Sequence, residues 1–187
     1  MKHTRYMAII FLPLALLLIG FTIQQYSFST QPESKIDSVD HTYASWDTME
    51  FDKCVAAWMI IRFIDKDAKF VFYPQGSEIN REIPFDVPGA DWSRKHRKCT
   101  SQCILEMINK PDPAIEKIVL IASKTELNFW QLDRWPDAHK CFYEVKEIMN
   151  QYPEPGECFE RTFSYFDNLY NSFNKDSAAD NDEELLS

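Results

Sequence analysis

Apolar positions along this chain fall into short blocks whose spacing changes between them. Phe51, Val55, Trp58 and Met59 recur at helical spacing, which predicts a helix from Phe51 to Phe63. Ala68 to Tyr73 is a run of β-branched and aromatic residues ended by Pro74 and Gly76, and it predicts a strand. Ile83 to Val87, closed by Pro88-Gly89, predicts a second. Further on, Thr100 to Ile108, Asp112 to Leu127, Asp137 to Tyr152 and Glu157 to Phe173 each predict a helix. Pro111, Pro136, Pro153 and Pro155 separate them, because proline lacks an amide donor and disfavours helix in the residue before it. The expected fold class is α+β, a predominantly α-helical single domain with a small β-sheet near its N-terminal half.

The ends have a different texture. Lys2, His3 and Arg5 precede an apolar run from Met7 to Ile23, the charged and hydrophobic regions of a secretory signal. Ser27-Phe28-Ser29 offers a cleavage site, and the competing reading is an uncleaved membrane anchor. Both place the domain outside the cytoplasm, exported to the periplasm or held on the cytoplasmic membrane facing outward. Segment 1–29 is thus read as signal or anchor, 30–44 as a polar linker, 45–174 as the domain, and 175–187 as an acidic disordered tail.

Charge narrows the function classes. A chain of 187 residues at a net charge of -9 lacks the basic footprint that neutralises phosphates, so no nucleic-acid partner is expected. There is no nucleophile elbow, phosphate-binding loop, dinucleotide fingerprint or His-Glu-x-x-His. No cofactor and no protein partner is assigned.

Several residues carry a resemblance. Asp52-Lys53, the run Trp58, Ile60, Arg62, Phe63, Ile64 and Asp65, then Phe70 and Phe72, Phe85 to Gly89, and Cys99-Thr100 resemble the chromate-resistance family. The similar part is the domain forming the C-terminal half of chromate-resistance protein B, which also occurs alone in exported proteins. Glu160-Arg161 and Phe166 to Tyr170 extend the likeness toward the end of the chain. The resemblance implies an accessory or oxyanion-binding component of chromate resistance. Four positions depart from the family pattern: Ala56-Ala57 stands for a Cys-Pro, Arg94 for a histidine, and Lys124 for an aspartate. A degenerate structural or interaction domain is the reading those departures favour.

Candidate chemistry gathers in three sets. Arg94, Lys95, His96, Arg97 and Lys98 form a positive cluster leading into Cys99-Thr100-Ser101, where free helix amides suit a divalent oxyanion. Arg94, Lys95, Arg97 and Lys98, with Lys53 and Arg62, are the candidate ligand-binding residues; the same loop also reads as a solvated run balancing nearby carboxylates. The five cysteines read as disulfides or buried thiols, or as a zinc or copper set of His96, Cys99, Cys103, His139 and Cys141. Cys99 beside Lys98 and Arg97 is also the candidate for an extracytoplasmic thiol redox enzyme. Asp52, Asp65 and Asp86 form the polar structural set, with Asp86 or Asp65 expected to receive Arg62 in an internal clamp.

Overall fold

Five parallel backbone pairings start the domain earlier than its composition suggests. The computed structural model describes residues 41–108 and 112–185, with side chains as far as 175. Strand β1, Thr42–Trp46, pairs in parallel with β2, Lys69–Tyr73, from Thr42 opposite Lys69 to Trp46 opposite Tyr73. On its other side β1 pairs in parallel with β3, Ile83–Pro84, giving the order β2-β1-β3. The linker expected over 30–44 therefore gives way to sheet at Thr42. Tyr43, Ala44 and Ser45 are buried there, and the aromatic residues at 43 and 46 suit a strand better than a tether. The expected signal or anchor and the linker as far as residue 40 lie outside the described residues.

Helix α1, Phe51–Met59, joins β1 to β2 and is buried along its whole length. It packs on α2, Thr100–Leu105; α3, Pro113–Leu127; and α5, Pro155–Leu185. Helix α4, Pro136–Gln151, covers α3 and α5, reached through a 3₁₀ turn over Phe129–Arg134 that the apolar spacing does not reveal. Phe51, Trp58, Phe85, Ile104, Ile118, Val145 and Phe166 fill the centre. Asp112 caps α3, accepting from the amides of Ala114 and Ile115 at 3.0 and 3.2 Å.

Two elements depart from expectation. The first predicted helix stops being α-helical at Met59 and continues as a π turn over Ile60–Ile64, where the Asp65 amide reaches back to the Ile60 carbonyl at 2.8 Å. The backbone of α5 runs on to Leu185, through most of the stretch expected to be a disordered acidic tail. No proline or glycine follows Gly156, so no residue there strongly opposes a helix.

Candidate functional site

Asp52 and Lys53 sit on a helix with no exposed face, so both charges must be answered inside the protein. The start of α2 answers Asp52. Its Oδ2 accepts the Thr100 amide at 2.6 Å, and its Oδ1 accepts the Ser101 amide at 3.1 Å and hydroxyl at 2.5 Å. The Thr100 and Ser101 amides that an oxyanion would need are thus occupied by one of the protein's own carboxylates, and the Cys99 amide donates to Gln102 Oε1 at 3.1 Å. That part of the expected anion site is corrected.

Lys53 is held from the opposite end of β1. Its Nζ donates to the carbonyls of Trp46 at 2.8 Å and Thr48 at 2.5 Å, and lies 3.8 Å from Asp86 Oδ2. Burial lowers its pKa below the ordinary lysine value, against the pull of Asp86 and Glu50. Asp86 stands on the turn after β3 in the left-handed region, at φ 50, which aspartate tolerates better than most residues. Its amide donates to the Trp92 carbonyl at 2.8 Å and its Oδ1 accepts from the Thr100 hydroxyl at 2.6 Å. Burial pushes the Asp86 carboxyl up to about 7, despite Thr100 and Lys53. Each partner shifts away from its charged form, so desolvation outweighs their attraction.

This pair opens onto a cavity of about 340 Å³, lined also by Thr48, Glu50, Ser93 and Arg94. Arg94 Nη2 donates to Glu126 Oε2 at 2.9 Å and lies 3.8 Å from Glu50 Oε2. Burial first, and then the charge of Asp52, raises the Glu126 carboxyl. Arg94 and Glu50 also line a neighbouring cleft of about 700 Å³, whose walls include Phe51, Phe129, Phe142 and Met149. Sequence reasoning missed Glu126, although a carboxylate in the last turn of a helix opposes the helix dipole and signals an outside partner.

The other expected residues are dispersed. Lys95 and Lys98 exchange backbone hydrogen bonds across a tight surface turn with Arg97 at φ 62, and Lys98 pairs with Glu106. None of Lys95, His96, Arg97 or Lys98 lines the cavity. Arg62 meets neither Asp86 nor Asp65: its Nε and Nη2 each donate at 2.9 Å to Asp167, while Asp65 accepts from His41 Nδ1. The π turn carries Arg62 toward α5, which corrects the expected clamp.

All five cysteines are free and buried, in line with the buried-thiol reading, while the redox and metal readings are corrected. Cys99 is fully buried, and burial together with the charge of Asp52 pushes its thiol up to about 12, which disfavours the thiolate a redox enzyme would use. His139 reaches Asp133 at 3.3 Å, Cys141 is buried toward Tyr165, and His96 lies on the exposed turn. Among the described residues no group of three or more His, Cys, Asp or Glu is placed to hold a metal ion.

Fold and site together define an α+β domain whose interior helix carries a lysine, paired with Asp86 from the turn after β3, to the wall of a small cavity. The comparison with protein families then identifies it: the model described as ChrB, C-terminal domain, matches residues 43–173, and the chain belongs to that family. Membership implies a function related to chromate resistance. No curated protein and no solved structure matches the chain.

Proposed function

We propose that this chain is an exported accessory component of chromate resistance that binds a small inorganic oxyanion in the cavity between Lys53 and Arg94, without nucleic acid. The observation carrying this reading is that two cationic side chains, brought from α1 and from the loop before α2, line one cavity of about 340 Å³. Ser93 and Thr48 add hydroxyls at its wall. The carboxylates Glu50, Asp86 and Glu126 oppose an anion, but Asp86, with its pKa near 7, is partly protonated at neutral pH and then donates rather than repels. A tetrahedral oxyanion that arrives there favours protonated Asp86 and charged Lys53 together. The apolar run before position 24 supports export, through the signal or anchor it resembles.

Isothermal calorimetry with chromate and with sulfate tests the reading on the unmodified chain and on Arg94→Ala. The expected result is measurable heat with the unmodified chain and at least a tenfold weaker affinity in the variant. No heat with either anion overturns it. Affinity unchanged in Arg94→Ala overturns the location.

A further inference from the structure

Two thiols touch in the interior where no function has been assigned to them. Cys54 on α1 and Cys158 in the first turn of α5 are both fully buried. They hydrogen-bond one another, and the Thr162 side chain also bonds Cys54. Two of the other cysteines have different surroundings: Cys99 lies against Ser101 and Gln102, and Cys141 against Tyr165. A cross-link between two packed helices would join sulfurs that already meet, whereas one inside a single helix at Cys99 and Cys103 is geometrically awkward.

We propose that Cys54 and Cys158 are a specific cross-linking site, closed as a disulfide that staples α1 to α5 when the chain folds in an oxidising compartment. In forming it, each thiol gives up its proton and the two sulfurs join. The electron pair passes to a small disulfide such as oxidised glutathione, which leaves as two thiols. The bond closes a loop of about 100 residues, and a cross-link restricts the unfolded chain more the longer the loop it closes. Because both sulfurs are buried, closure accompanies folding rather than following it. Formation in the cell rests on the export reading above; the sulfur pairing does not.

The test is refolding of the reduced full chain in a buffer of oxidised and reduced glutathione, followed by alkylation in denaturant and non-reducing peptide mapping. The expected map joins the Cys54 peptide to the Cys158 peptide and leaves three alkylated cysteines, with a melting temperature roughly 10 °C above that of the reduced protein. Cys54→Ser and Cys158→Ser each remove the joined peptide and make melting indifferent to reductant. Where refolding is poor, brief exposure of natively purified protein to mild urea in the same buffer gives the same readout. Five alkylated thiols, or a pairing that involves any other cysteine, overturns the proposal. A linked pair in the glutathione buffer with free thiols in protein taken from its own cells upholds the pairing and overturns export instead.

Discussion

Arg62 and Asp167 meet in a two-pronged ion pair across 105 positions of sequence, with each carboxylate oxygen accepting one guanidinium nitrogen at 2.9 Å. The same Asp167 Oδ1 accepts from Trp58 Nε1 at 2.9 Å, and Trp58 is wholly buried. Arg62 holds the Asp167 carboxyl below the usual carboxylate value. The pair fastens the π turn to α5, and ring contacts of Phe63 with Trp58 and Tyr170 fill in beside it.

That sharing sets an order of costs. Arg62→Met removes a pair that is 39% and 37% exposed at its two ends, so solvent screening limits the loss to about 1 kcal/mol or less. Asp167→Ala also strands the buried indole donor and is expected to cost about 2 kcal/mol. Urea denaturation of both variants measures the difference, and equal losses would contradict it.

Asp52 is expected to be the costlier carboxylate to lose. Asp52→Ala leaves the amides of Thr100 and Ser101 and the Ser101 hydroxyl without an acceptor in the interior. The expected destabilisation is roughly 3 kcal/mol or more. Asp52→Asn, which keeps one acceptor oxygen, should lose clearly less in the same denaturation series.

Asp86 links stability to pH. Its folded pKa, about 7, lies well above the ordinary aspartate value of 3.8, so the folded protein holds this proton more tightly than the unfolded chain. The contribution is therefore fully present below about pH 4 and is lost as pH rises through 7. Comparing Asp86→Asn with the unmodified chain isolates it: the two should differ little in pH response above pH 8, while between pH 4 and 7 the unmodified chain loses roughly 3 kcal/mol relative to the variant. Parallel stability curves across that interval would contradict the assignment.

The same proton should govern anion binding. Chromate or sulfate affinity is expected to fall as pH rises past 7, by up to about tenfold per pH unit, with proton uptake on binding. Calorimetry in two buffers of different ionisation enthalpy measures that uptake. Affinity independent of pH from 6 to 8 would remove Asp86 from the site.

Much of the helical framework was legible because its signals are local. Proline placement and apolar spacing bring α3 and α4 within a residue of their expected bounds. Strand β1 was not legible, since its five residues gain meaning only from partners more than twenty positions later. The site shows the same division. Lys53, Arg94 and Asp86 stand out as charges in improbable places, but Asp52 occupying the start of α2 and Asp167 receiving Arg62 depend on chain crossings that no spacing rule encodes. The sequence reading pairs Arg62 with Asp86 or Asp65, and the π turn directs it to Asp167 instead.

The first strand is the hub of the sheet, bonded on both edges, while the strands that follow it are the borders. A cut made after Trp46 would thus leave β2 and β3 with no neighbour at all, and would also take away the Trp46 carbonyl that anchors Lys53. Whatever processing the N-terminal region undergoes, the intact domain requires that the knife fall ahead of Thr42.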